Sequence, residues 1–176
     1  MLKQKYPNNN VVETGNWPPG QQDGFKRPAF IDPQDSLFHA MATVYYNEQE
    51  KLYGTTRFYG GDPFHEGDVA TSLDVTKGGK AIQAAMQKAR PGSVWVLQGW
   101  WQNPDGRLLA GLEKEHALVL DLFAEGNPQW ERRGAYNGMP WIWSILQNFG
   151  GNVGMFGRMQ TIGSEPVRAK IYTQTI

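Results

Sequence analysis

The sequence predicts a parallel α/β fold, and three observations carry that expectation. Helical segments alternate with strand-like ones along the chain. The strand-like runs are apolar at consecutive positions, as strands buried on both faces are. Each run then gives up polar or aromatic residues at its carboxyl end.

Residues 1–34, rich in Pro, Gly and Asn ("NWPPGQQDGFKRP"), read as an irregular lead-in with at most a short strand near Val11 and Val12. A helix begins at Asp35 or Ser36, either of which can cap it, with Leu37, Met41, Val44, Tyr45 and Leu52 on one face. "RFYGGDPF" reads as the first strand of the alternating region. Asp74 to Ala89 is a second amphipathic helix, stopped by "RPG". "SVWVLQGW" is a strand with almost no polar alternation, and "PDGRLLAGL" is a short helical or turn segment. "HALVLDLF" is another apolar strand and "MPWIWSILQNFGG" supplies a fourth.

Composition excludes several function classes. A chain of 176 residues suits one domain with a real core. Its 17 basic and 17 acidic residues are scattered, so no patch suits a phosphate backbone and no nucleic-acid partner is expected. Without cysteine there is no disulfide, thiol nucleophile or cysteine-ligated zinc. The opening "MLKQKYPNNNVV" lacks an apolar core of signal-peptide length, and no stretch approaches a membrane span. Several of the seven tryptophans sit beside Gly, Gln and Asn, the composition of a carbohydrate site, where rings stack on sugar faces and amides bond hydroxyls.

The polar residues at the strand ends are Asp62, His65 and Glu66; Gln98, Trp100 and Trp101; Asp121 and Glu125; and Gln147, Asn148 and Phe149. In parallel α/β folds ligands bind at the carboxyl edge of the sheet, so four such ends would define one concave site. Trp95, Trp141 and Trp143 lie inside strand runs and read as core. Asp121 has two readings, a brace for loop amides or a pocket residue. His65 is not expected to ligate a metal, because His39 and His116 lie elsewhere in the pattern. "NFGGNVGMFG" lacks a nucleotide fingerprint and reads as tight turns.

"FYGGDPFHEG", "VWVLQGW", "LVLDLFAE" and "PWIWSILQNFGGNVGMFG", in this order and at these separations, resemble the alpha-N-acetylglucosaminidases, family 89 of the glycoside hydrolases. The upstream "NVVETGNWPPGQQDGFKRPAFIDPQDSLF" is similar to the segment that leads into the same helix in that family. The resemblance implies part of a (β/α)8 TIM-type barrel, with roughly four parallel strands and intervening helices, incomplete at both ends. The implied activity is exo-acting, retaining hydrolysis of terminal alpha-linked N-acetylglucosamine, with no cofactor and an alpha-N-acetylglucosamine-terminated glycan as partner. Carried over by position, Glu66 matches the family's general acid/base, while Trp100, Asn148 and Phe149 match positions that line the sugar pocket. The family's animal members have asparagine before the acid; this chain has His65, an imidazole able to donate to a substrate hydroxyl.

The family's nucleophilic glutamate lies in a later segment resembling "GMxPEG", which does not occur before "RAKIYTQTI". The chain therefore reads as a central piece of a longer barrel, carrying the acid and missing the rest of its parent. A retaining pair needs carboxyls roughly 5 to 5.5 Å apart, and Asp121 and Glu125 are read as pocket or scaffold residues rather than as that nucleophile. Two other classes stay open: a non-catalytic sugar-binding α/β domain, and a structural α/β domain that only echoes the hydrolases. The family is lysosomal in animals and exported in bacteria, and the absence of cysteine leans toward an exported bacterial parent.

Overall fold

The computed structural model describes residues 2–17, 24–64, 72–147 and 157–175. After a helical turn, α1 (Leu2–Lys5), two short antiparallel pairs hold the lead-in. They are β1 (Val11–Val12) with β4 (Phe30–Ile31), and β2 (Asn16–Trp17) with β3 (Phe25–Lys26). The sequence shows only the first of these four, because two residues carry no alternation and such strands exist through their pairing. Asp35 ties the lead-in to the next helix. Its carboxylate accepts from the Asn10 and Leu37 backbone N–H groups and from the Asn9 amide, each at 2.8 Å. These donors hold its pKa below the ordinary value.

Asp35 is the N-cap of α2 (Ser36–Tyr53), one of the two caps expected, and of the expected apolar face Leu37 is half-buried. Met41, Val44, Tyr45 and Leu52 are exposed. His39, Ala42, Thr43, Tyr46 and Gln49 are half-buried. Tyr46 meets Tyr59 edge-on at 5.1 Å, and Arg90 reaches across to the Tyr46 carbonyl at 2.9 Å and the Glu50 carboxylate at 2.5 Å. Within this chain the contacts of α2 thus run through an aromatic pair and one guanidinium. α3 (Val75–Ala89) starts at its Asp74 cap, which accepts from the Lys77 N–H at 3.0 Å, and ends where the sequence places it. α4 (Gly106–Ala110) buries Leu108 and Leu109.

β5 (Phe58–Gly60), β6 (Val94–Gly99), β7 (Ala117–Asp121) and β8 (Trp141–Trp143) form one parallel sheet in sequence order. Register sorts their side chains. Tyr59, Trp95, Ala117, Leu97, Val119, Trp141, Gly99, Asp121 and Trp143 share one face. That face packs on Met86, Leu108 and Leu109 of the helices and holds the core. The other face carries Phe58, Gly60, Val96, Gln98, Leu118, Leu120 and Ile142, all half-buried or exposed. Burial on both faces is expected from the apolar runs; within this chain it is deepest on the first face, while Val96, Leu118 and Leu120 on the second are half-buried. In the partial (β/α)8 barrel that the resemblance implies, the second face is the interior, where residues of the opposite parity point.

The sequence predicts no helix beyond residue 157, and Pro166 argues against one. The C-terminal helix Met159–Thr175 forms around it by tertiary contacts: Ala169 is buried, Tyr172 meets the Trp130 ring at 5.2 Å, and the Arg168 guanidinium lies 4.8 Å above that ring.

Candidate active site

The carboxyl end of β5 is stapled to β6. Trp95 Nε1 donates to the Gly61 carbonyl at 2.7 Å, and Asp62 Oδ1 accepts the Gln98 backbone N–H at 2.7 Å. Phe64 follows at φ 67°, its ring 6.2 Å from Phe30. His65 and Glu66 come next in the chain and lie outside the described residues. The described chain reaches Phe64, four residues past the end of β5.

At the end of β6, Trp100 is half-buried and continues the interior parity of Val96 and Gln98. Its N–H donates to the Asn103 carbonyl at 3.1 Å and its carbonyl accepts from the Asn103 N–H at 2.8 Å, closing a tight turn. Trp101, inside that turn, has φ 46° and is exposed, with its ring 5.6 Å from that of Trp100.

Asp121 closes β7 on the core face, fully buried. Its Oδ2 accepts the Gln129 N–H at 3.0 Å and the Trp130 N–H at 2.8 Å. These two bonds brace the loop after β7, on the sheet face that carries Val119 and Leu97. Burial pushes its carboxyl above the ordinary value, against the lowering influence of the Trp130 and Gln129 amides, the Tyr136 phenol and the Arg133 charge. Burial likewise drives the Tyr136 phenol upward, with the Asp121 charge adding to it. Beyond Trp130, Arg133 donates to the Asn103 carbonyl at 2.6 Å and to the Pro104 carbonyl, so the loop after β7 grips the loop after β6.

Glu125 is buried, and neither carboxylate oxygen has a hydrogen-bond partner among the described residues. It borders a cavity of about 300 Å³ shared with Arg158, Thr161, Ser164 and Arg168 at the start of the C-terminal helix. At the end of β8, the Ser144 N–H donates to the Asp121 carbonyl at 3.1 Å and the Ser144 carbonyl accepts the Ala124 N–H at 3.1 Å. Asn148 and Phe149 lie outside the described residues, as does all of "NFGGNVGMFG" but its last glycine.

Among the described ends, Asp62, Trp100 and Asp121 share the carboxyl edge of one sheet, with Asp121 on the far face. Arg133 and Tyr136 have no signal in the sequence, since a single arginine and tyrosine in a polar loop match no spacing rule. No group of His, Asp or Glu among the described residues is arranged to hold a metal, and no described helix is long and apolar enough to cross a membrane.

Comparison with known proteins agrees with this geometry. Residues 1–175 match the profile of the alpha-N-acetylglucosaminidase (NAGLU) TIM-barrel domain. The human alpha-N-acetylglucosaminidase is 31% identical over 179 residues, covering 95% of this chain and 24% of the human protein. A family 89 glycoside hydrolase from Clostridium perfringens, solved with 2-acetamido-1,2-dideoxynojirimycin, superposes with a TM-score of 0.83 at 36% identity, covering 96% of this chain and 19% of that one. A form of the Clostridium perfringens enzyme with two glutamates replaced by glutamine, solved with its substrate GlcNAc-alpha-1,4-galactose, matches with the same score and identity over 97% of this chain. The chain thus spans about a quarter or less of the length of these relatives.

Proposed function

The chain belongs to the alpha-N-acetylglucosaminidase family, and from that premise we propose that it is the acid-bearing central part of the catalytic barrel of an exo-acting, retaining alpha-N-acetylglucosaminidase. Glu66 protonates the departing glycosidic oxygen while a glutamate from a segment outside this chain attacks the anomeric carbon. Glu66, now ionised, then takes a proton from the water that releases the sugar. An acid of this kind works best where desolvation favours its protonated form. His65, Trp100, Asn148 and Phe149 contact the terminal sugar, and Asp121 acts on the site through the loop it braces.

The observation that carries this reading is the parallel β5–β6–β7–β8 order. In support of it, the turn after β5, which precedes Glu66 in the chain, and the aromatic turn of Trp100 follow adjacent strands of one sheet. An acetal needs only a proton, a nucleophile and water, so no cofactor enters. The partner is an alpha-N-acetylglucosamine-terminated glycan, met in the lysosome if the parent is an animal protein and outside the cytoplasm if it is bacterial.

The test is Glu66→Gln in the full-length parent. A natural alpha-GlcNAc linkage has a poor leaving group, and its hydrolysis should fall by about 10² to 10⁴. An activated aryl glycoside should keep far more of its first step, and azide should be captured as the alpha-glycosyl azide. Equal loss on both substrates without azide product would reject the acid role. Sugar binding by the unsubstituted parent without turnover would favour a non-catalytic sugar-binding domain.

A further inference from the structure

Trp101 is costly for the fold in two ways. It exposes 69% of its surface in this chain, and its backbone sits at φ 46°, a region where a bulky residue is strained. Glycine or asparagine at this position would relieve both. The turn is nonetheless held from several sides. Trp100 and Asn103 exchange two backbone hydrogen bonds, and the Arg133 guanidinium binds the carbonyls of Asn103 and Pro104. Arg133 is itself seated 5.0 Å over the Tyr136 ring. That tyrosine belongs to a left-handed turn, Gly134–Gly138, in which Ala135, Tyr136 and Asn137 have φ between 48° and 56°. Strained backbone that is over-determined by its surroundings clusters at ligand sites.

We propose that Trp101 is a stacking platform for the sugar on the leaving-group side of the scissile bond, and that Arg133 is the positioning residue that keeps it at the rim. The inference rests on the reading above, in which half-buried Trp100 lines the pocket of the terminal sugar. An exo-acting site holds that sugar deepest. Trp101, one residue farther from the strand and open to solvent, therefore meets the next ring outward. A hexopyranose suits it, because a pyranose with axial C–H bonds gathered on one side, as in galactose, offers an apolar patch to an indole face.

The test compares two ligands in the full-length parent. GlcNAc-alpha-1,4-galactose occupies both positions, whereas free N-acetylglucosamine, used as an inhibitor, occupies the terminal pocket alone. Trp101→Ala should raise KM for the disaccharide about tenfold, the scale of one desolvated aromatic contact, without weakening inhibition by the monosaccharide. Trp101→Phe should restore most of the loss. Arg133→Met should raise the disaccharide KM in the same direction, and the double variant should be no worse than Trp101→Ala, the non-additivity expected when one residue acts through the other. An unchanged disaccharide KM in Trp101→Ala overturns the proposal, as does equal weakening of both ligands or full additivity. Failure of the underlying reading looks different: full activity of Glu66→Gln on the disaccharide would remove the acid and leave these comparisons standing.

Discussion

One carboxylate oxygen of Asp121 binds the backbone of Trp130, nine residues on, at 2.8 Å, and that of Gln129 at 3.0 Å. The contact closes the loop after β7 and sends the Trp130 indole into the core, where it stacks on Trp141 at 5.6 Å. It also sets the start of the segment that carries Arg133 back to the loop after β6.

Asp121→Ala leaves two buried backbone donors without an acceptor. It should destabilise the protein by about 2 to 4 kcal/mol, measured by urea unfolding. Asp121→Asn keeps one acceptor oxygen and should cost clearly less. Equal costs would mean that the amide contacts contribute nothing.

The same pair of proteins separates the charge from the hydrogen bonds. Burial raises the Asp121 pKa, so the folded state binds this proton more tightly than the unfolded chain does. Its contribution to stability is full at low pH and declines as pH rises from about 4 through the folded-state pKa. The stability of the unsubstituted protein minus that of Asp121→Asn should therefore fall as pH increases over that window. A difference that is flat or rises with pH rejects the assignment.

Asp62 links the turn after β5 to the Gln98 backbone at 2.7 Å, two residues ahead of the strand-end segment that launches Glu66. Asp62→Ala in the full-length parent should leave the far-UV circular dichroism unchanged and lower kcat/KM, by up to about 10² if the acid shifts by an ångström. Asp62→Asn should recover part of this. Unaltered kcat/KM in Asp62→Ala would show that the turn is held by other contacts.

At Gly99 a Cβ would lie 2.6 Å from the Tyr136 hydroxyl and 2.7 Å from the Leu120 carbonyl oxygen. Gly99→Ala should destabilise by about 3 kcal/mol. Removing the hydroxyl with Tyr136→Phe should not rescue it, since the carbonyl belongs to the paired strand and cannot step aside. Full rescue would place the whole conflict on the phenol.

The long elements were legible in the chain itself, because each is a pattern contained in one window. The Asp35 and Asp74 caps, the apolar runs of β6 and β7 and the alternation of helix with strand depend on neighbours within a few residues, and they determined the parallel α/β class. The four quoted motifs likewise led to the family. Polar residues at the strand ends marked the carboxyl edge as the place for a site. Three features needed the tertiary structure. An all-apolar strand has no alternation, so only register shows that Asp121 shares a face with Val119 and Leu97 and not with Gln98. The contacts of α2 run to Tyr59 and Arg90, residues that approach from other elements. The Arg133 grip on the Trp100–Asn103 turn spans 30 residues of sequence. Local propensity acts over a few residues, and the energies that decide these three features come from groups that folding alone brings together.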